Sequence, residues 1–100
     1  MGAGVTLWVR KGHKESEDAL SFLRANKYAA DAVRDLAIAP PTPEEQAALV
    51  IGLGGDPALL QDPKAPGQLR APILLTRRGA LAGFRESKWR AFLDIGKGRA

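Results

Sequence analysis

The sequence predicts an α/β fold in which helices flank a four-stranded mixed sheet, in the order β-α-β-α-β-β-α. Three observations predict it. The first half alternates strand-like and helix-like patterns, and a right-handed crossover makes its two strands parallel. In the second half an "RRG" turn separates two apolar stretches, which makes those strands antiparallel. The length of 100 residues, with 45% hydrophobic and 26% charged residues, fits one ordinary globular domain, taken as 1–100.

The first strand and the first helix lie on either side of a tight turn. The stretch "VTLWV", Val5–Val9, is β-branched, aromatic and almost wholly apolar, which is typical of a strand buried on both faces. Trp8 in its middle is therefore a core candidate. Gly12 supplies the turn. Acidic residues then crowd the first helical turn, where they complement the helix dipole, and apolar residues recur at helical spacing until Asn26 ends the helix.

A proline-rich stretch separates the second strand from the second helix and gives the clearest boundary between elements in the chain. "YAADAVRDLA" has only two large aliphatic residues, so it predicts a weaker and more exposed strand. "APPTPEE" follows, and in it Thr42 is a natural N-cap, Pro43 suits the first helical position, and Glu45 completes a capping box. The helix that begins there ends at Gly52–Gly55.

The last part of the chain contains a long loop, a hairpin and a final helix. "GDPALLQDPKAPGQ" has five helix breakers, all glycine or proline, around Leu59–Leu60, which favours a short helical turn inside the loop. "PILLT", Pro72–Thr76, is a buried strand, and "ALAGF" after the turn pairs with it. A helix then opens near Ser87 and places Trp89 and two further apolar residues at positions i, i+3 and i+4.

The composition excludes several classes of function. There is no cysteine, which excludes disulfides, thiolate metal sites and thiol chemistry by the protein itself, and a single histidine makes a histidine-based metal site implausible. No apolar run approaches the roughly 20 residues of a membrane span, and Met1–Val9 lacks a secretion signal, so we expect a cytoplasmic protein. We interpret the net charge of +4 as a solvated surface rather than a nucleic-acid site, because no basic residues alternate with aromatic ones.

Three stretches resemble the arsenate reductase (ArsC)/Spx family, which consists of small thioredoxin-fold proteins. "KESEDALSFLRAN" resembles the helix after the family's active cysteine, and "APPTPEE" resembles its lead into the second helix. "RAPILLTRRGALAGFRESKW" resembles the family's ending and is the most specific of the three. The resemblance runs from Val5 to roughly Gly96. It implies a thioredoxin-like (glutaredoxin-like) fold, in a family whose members either reduce arsenate with glutathione or bind RNA polymerase to regulate transcription.

Only some of the family's active-site residues have counterparts in this chain. The nucleophilic cysteine falls on His13, whose imidazole cannot form thiol–arsenate or mixed-disulfide adducts. The arginine expected before the proline of the third strand is Ala71 here, with Arg70 one residue early, and Arg85 is the candidate for the last binding arginine. The proline itself is retained as Pro72, and the resemblance implies that it is cis.

The start of the first helix is the candidate ligand site. Its free backbone N–H groups and positive dipole end, with Gly12, Lys14 and Arg70 nearby, suit a carboxylate, a phosphate or a peptide terminus. His13 has three possible roles: a general base, a hydrogen-bond donor to a bound anion, or a turn residue. We rank the inert turn residue first, the contact to a bound ligand second and the catalytic role last. No metal ligand set is predicted.

Two hypotheses about function follow. The first is a redox-inactive ArsC/Spx-like protein that acts by binding, with a protein partner such as the transcription machinery as first candidate and a small anion as second. The second is a glutathione-dependent reductase or transferase, in which bound glutathione supplies the thiol, lies against Pro72 and is ionised with help from His13. Nucleic-acid binding ranks third. Arg77 and Arg78 lie about 13 Å along the strand from Pro72 and are interpreted as a solvated hairpin turn.

Overall fold

The computed structural model describes residues 4–65 and 67–93. Its helices and strands follow the predicted order, with bounds close to those that the sequence indicated. In chain order they are β1 (Thr6–Val9), α1 (Lys14–Ala25), β2 (Ala32–Asp35), α2 (Pro43–Gly52), a short 3-10 turn (Pro57–Leu60), β3 (Ile73–Thr76), β4 (Gly79–Ala82) and α3 (Glu86–Phe92). The expected end of the family resemblance, near Gly96, lies outside the described residues.

The four strands form one mixed sheet in the order β2-β1-β3-β4. The strand β1 runs parallel to β2 and antiparallel to β3, and β3 and β4 form an antiparallel hairpin. The predicted directions of both strand pairs are confirmed. The register sets Trp8 of β1 opposite Arg34 of β2 on one side and Ile73 of β3 on the other. The candidate site lies where β1 ends and β3 begins, because those two antiparallel ends meet at one edge of the sheet.

Successive side chains of β1 enter two separate cores, one on each face of the sheet. Leu7 packs with Phe22 and Trp89 in the core beneath α1 and α3. Trp8 packs with Leu49 in the core beneath α2. Leu7 and Trp8 are both fully buried, and side chains alternate between the two faces of a strand. This double burial is the reason that the first strand is almost wholly apolar.

The second helix begins with the predicted capping box. The hydroxyl of Thr42 accepts a hydrogen bond from the Glu45 backbone N–H at 3.1 Å, and the Glu45 carboxylate accepts one from the Thr42 backbone N–H at 2.9 Å. Two N–H groups at the start of α2 therefore have partners. The weak second strand is also as expected, since Val33 at its centre is 54% exposed.

The final helix is anchored by a tryptophan. Trp89 is 1% exposed, and its indole N–H donates to the carbonyl of Gly83 at 2.9 Å. This bond joins α3 to the chain that leaves β4, and it holds the segment between them beside the candidate site. Within the described parts of the chain, no helix is both long and apolar enough to cross a bilayer.

Candidate functional site

The turn between β1 and α1 fixes the position of His13. Gly12 has a φ of +75°, a conformation that glycine adopts without strain. The backbone N–H of His13 donates to the carbonyl of Arg10 at 3.1 Å, which closes the turn. His13 itself is the N-cap of α1, in an extended conformation and with no side-chain cap. Its imidazole therefore stands at the N-terminal end of the helix without blocking the first N–H groups.

Ser16 is a structural residue of this turn and does not cap α1. Ser16 lies inside the first turn, is 1% exposed, and accepts a hydrogen bond from the backbone N–H of Arg10 at 3.0 Å. The same hydroxyl lies 3.2 Å from Nδ1 of His13. Two partners thus hold the Ser16 hydroxyl inside the protein. The other imidazole nitrogen of His13, Nε2, has no hydrogen-bond partner among the described residues.

Two cavities meet at this end of the sheet. The smaller, of about 220 Å³, is lined by His13 and by residues of the loop before β3, among them Asp62 and Lys64. The larger, of about 480 Å³, extends along β4 to Arg85 and Lys88. Both cavities are lined by Glu15 and Arg70. We call the pair the cleft.

Arg70 is the residue that joins the two cavities. Its backbone N–H donates to the carbonyl of Leu60 at 2.9 Å, and its guanidinium lies against the backbone of Gly83. A Cβ added to Gly83 would come within 2.9 Å of the guanidinium carbon, so only glycine leaves room for this arrangement. Arg70, although one residue early in the family's pattern, therefore places its charge between the cavity of His13 and that of Arg85.

Glu15 is a site residue that sequence reasoning missed. It was interpreted as a first-turn acid that complements the helix dipole. In the structure its carboxylate also accepts a hydrogen bond from the backbone N–H of Phe84 at 3.1 Å and lines both cavities. The two residues are 69 positions apart, so no local pattern could have indicated the contact. Glu15 ties the start of α1 to the segment after β4 and sets one negative charge beside Arg70.

A second missed contact fixes the loop that carries Arg70. The guanidinium of Arg10 donates to the carbonyl of Leu69 at 2.8 Å and lies 3.9 Å from the Asp62 carboxylate. Arg10 comes directly after β1, so it joins the exit of that strand to the entry of β3. The position of Arg70 thus depends on a charged residue that the sequence analysis did not single out.

The remaining predicted site residues lie outside the cleft or at its rim. Arg85 is exposed at the N-cap of α3 and lines the larger cavity. Gly12 lines a different cavity, of about 230 Å³, formed with residues of β1 and α1. The side chain of Lys14 is 88% exposed and pairs with Asp18 at 3.4 Å, so it lines neither part of the cleft.

Pro72 supports the cleft from within. The Ala71–Pro72 peptide bond is cis. Pro72 is fully buried and offers no side-chain surface to a ligand, and its carbonyl accepts a hydrogen bond from the backbone N–H of Gly83 at 2.8 Å. The predicted residues that the structure brings together are therefore His13, Arg70 and Arg85.

The charge around the cleft favours an anionic ligand. Four basic side chains line it, against the two carboxylates of Glu15 and Asp62. The four are Lys64, Arg70, Arg85 and Lys88. Among residues 4–65 and 67–93, no three metal-ligating side chains come together. The arrangement can hold a carboxylate or an oxyanion near the imidazole of His13.

Comparison with known proteins shows the fold. The sequence matches no protein-family model, and a search of curated proteins finds no match either. Among solved structures, an ArsC family related protein from Bacteroides fragilis has a TM-score of 0.77 at 16% identity, over 90% of this chain and 98% of that one. An arsenate reductase (ArsC) related protein from Brucella melitensis has a TM-score of 0.59 at 14% identity, over 95% of this chain and 99% of that one.

A glutaredoxin from Archaeoglobus fulgidus is similar as well. Its TM-score is 0.56 at 14% identity, and the match covers 91% of this chain and 86% of the glutaredoxin. The predicted thioredoxin-like (glutaredoxin-like) α/β fold is confirmed, and its structural neighbours include proteins related to ArsC. At these identities the likeness shows a shared fold.

Proposed function

We propose that this protein is a cytoplasmic, cysteine-free protein of the ArsC/Spx type that acts by binding and not by thiol chemistry. One observation carries the proposal. An imidazole stands at the N-cap of α1, where the family resemblance places the nucleophilic cysteine, and the chain has no cysteine. A thiolate forms and breaks bonds to sulfur or arsenic, whereas the imidazole can offer a proton, a hydrogen bond or a lone pair.

The cleft supports the binding role through its charge and its length. Arg70 lies between its two cavities, so an extended ligand could contact His13 at one end and Arg85 at the other. A protein partner that inserts an acidic segment or a chain terminus is the first candidate, and a small anion is the second. Members of the family that the sequence resembles bind RNA polymerase, which makes the transcription machinery the first protein to test.

The cleft can be tested by titrating isotope-labelled protein with inorganic phosphate, with glutathione and with purified bacterial RNA polymerase. We expect amide shifts or line broadening at His13–Glu15 and Gly83–Lys88. Arg70→Ala should weaken the effect, whereas Arg24→Ala, which removes an exposed arginine from α1, should preserve it. Binding that is indifferent to Arg70, or no response to any of the three probes, would contradict the proposal.

A glutathione-dependent reductase or transferase is the second candidate. The observation that favours it is that the His13 imidazole faces the same cavity as the Arg70 guanidinium. The guanidinium would pair with a glutathione carboxylate, and the imidazole would accept the thiol proton. Pro72, being buried, would act only through the backbone that it holds in place.

This candidate is tested by alkylation of glutathione in the presence of saturating protein. If His13 ionises the bound thiol, the reaction with iodoacetamide accelerates at neutral pH, and His13→Asn abolishes the acceleration. If the native protein leaves the rate equal to that of free glutathione, the enzyme hypothesis fails while the binding hypothesis stands.

A further inference from the structure

A second groove lies between the C-terminal half of α2 and the β3–β4 turn. It shares Gly52 with the larger cavity of the cleft, but His13, Arg70 and Arg85 do not line it. Its volume is about 400 Å³. We call it the hairpin groove. The residues that define it are Ala48 and Ile51 of α2, Leu75 of β3, and Arg77 and Arg78 of the turn.

The apolar wall of the hairpin groove comes from α2. Residues 47–51 of this helix are all apolar, yet only Leu49 among the helix residues is buried. Ile51 is 76% exposed and lines the groove beside Leu75. A single exposed apolar residue is ordinary on a protein surface, so the chemistry of the opposite wall decides what the groove accepts.

The opposite wall carries two exposed positive charges. Arg77 and Arg78 form the turn, and neither takes part in the ion pairs found among the described residues. The turn is stabilised by the backbone N–H of Arg78, which donates to the Thr76 hydroxyl at 3.0 Å, and by the positive φ of Gly79. The Arg77 side chain runs beside Gly4. The hydrogen bonds that the described residues make within the turn therefore use neither arginine side chain.

We propose that the hairpin groove binds an acidic, amphipathic segment of a partner protein. An apolar side chain of that segment packs against Ile51 between α2 and β3, and carboxylates on the same face pair with Arg77 and Arg78, whose planar guanidinium groups suit bidentate contacts. A second copy of this chain fits poorly. A two-fold interface brings the same patch together from both copies, which would place four guanidinium groups against one another.

The test uses three synthetic peptides of equal length with leucines at positions i, i+3, i+4 and i+7. Their remaining positions are all glutamate, all lysine or all serine. Each peptide is titrated into the isotope-labelled full chain. We expect saturable amide shifts with the glutamate peptide only, centred on Ile51 and Leu75–Gly79. We expect the double variant Arg77→Ala/Arg78→Ala to weaken binding about tenfold or more, as loss of charge-assisted hydrogen bonds does.

Two controls keep the result specific. Arg24→Ala removes an exposed arginine on α1 and should leave the affinity unchanged. Arg70→Ala should also leave it unchanged, which separates this groove from the cleft.

The proposal is overturned if the glutamate peptide binds no better than the lysine peptide, if its shifts centre on the cleft, or if the double variant binds as the native chain does. A concentration-dependent dimer that Ile51→Asp abolishes would also overturn it, because the groove would then belong to a second copy.

Discussion

At position 13 this protein has an imidazole where the family that its sequence resembles has the nucleophilic thiol. The helix end around it is otherwise suited to an anion, since His13 leaves the first N–H groups of α1 uncapped by a side chain. Arg70 brings a positive charge to the same cavity. Anion binding at this site therefore depends on the position of the Arg70 guanidinium.

The contact between Arg70 and Gly83 can be tested by a pair of glycine substitutions. Gly83→Ala should destabilise the protein by about 1 kcal/mol, because its φ of +77° disfavours a side chain, and should also displace the Arg70 guanidinium. Gly67→Ala is the matched control, since Gly67 has a φ of +87° and a Cβ added there would come within 4 Å of no described residue other than its chain neighbours. Both variants should lose stability in denaturant unfolding, but only Gly83→Ala should lose phosphate binding. Equal binding losses would contradict the role given to Arg70.

The second helix shows how one element is fixed to the sheet by its first turn. The carboxylate of Glu45 accepts hydrogen bonds from the Thr42 backbone and from the Arg34 guanidinium, the latter at 2.9 Å. The same guanidinium lies over the Trp8 ring, 5.7 Å from its centroid. The hydrogen bond from the Thr42 backbone N–H is the largest of the effects that hold the pKa of Glu45 below its ordinary value. Burial, the next largest effect, opposes it, and the Arg34 guanidinium lowers the pKa further.

This lowered pKa predicts a pH dependence of the free energy of unfolding. A carboxyl whose folded pKa is depressed stabilises the protein above its unfolded value, and that contribution is lost as the pH falls through the folded pKa. Glu45→Gln keeps a hydrogen-bond acceptor but not the charge, so it should cost about 1 kcal/mol or less at neutral pH. The difference from the native protein should disappear as the pH falls below 4.5, the carboxyl's ordinary value. Urea unfolding across this range measures it.

The neighbouring carboxylate provides the control for this measurement. Glu44→Gln removes a charge from the same helical turn, but Glu44 has no hydrogen-bond or ion-pair partner among the described contacts. Its effect on the pH dependence should be smaller. A constant offset between Glu45→Gln and the native protein at all pH values would show that the charge of Glu45 contributes nothing.

The other end of α2 is fixed by close packing on the sheet. A Cβ added to Gly52 would come within 2.7 Å of the Ala80 backbone nitrogen and 2.9 Å of the Gly79 carbonyl carbon. Helix propensity alone predicts that Gly52→Ala stabilises the protein by up to about 1 kcal/mol. The contact predicts a loss of about 1–3 kcal/mol instead, because rigid backbone must move. Thermal unfolding decides the sign, and stabilisation would show that α2 does not rest on β4 as closely as described.

At the scale of the whole molecule, the fold was predictable because its signals are local. The capping box at Thr42 and the helix end at Asn26 are each indicated by a few adjacent residues. The two-sided burial of β1 is equally visible in five consecutive apolar or β-branched residues from Val5. Together with the crossover rule, these signals predict the order of the elements along the chain and the parallel direction of β1 and β2. The position of β1 between β2 and β3 is given by the structure.

The site was predictable only where its residues lie beside such signals. His13 follows the turn glycine, and Arg70 precedes the third strand, so the family resemblance could be aligned to both positions. Glu15 and Arg10 were not, because their partners Phe84 and Leu69 lie 69 and 59 positions away. Contacts over such distances exist only once the sheet has brought the ends of β1 and β3 together.

We propose that this thioredoxin-like scaffold, with an imidazole where the family that it resembles has a thiol, works by binding. The most direct measurement is arsenate reduction by the purified protein, supplied with glutathione and glutaredoxin. We expect a rate equal to that of a reaction without the protein, at every protein concentration. A rate that rises in proportion to the protein, and that His13→Asn removes, would contradict the claim and establish the protein as an enzyme.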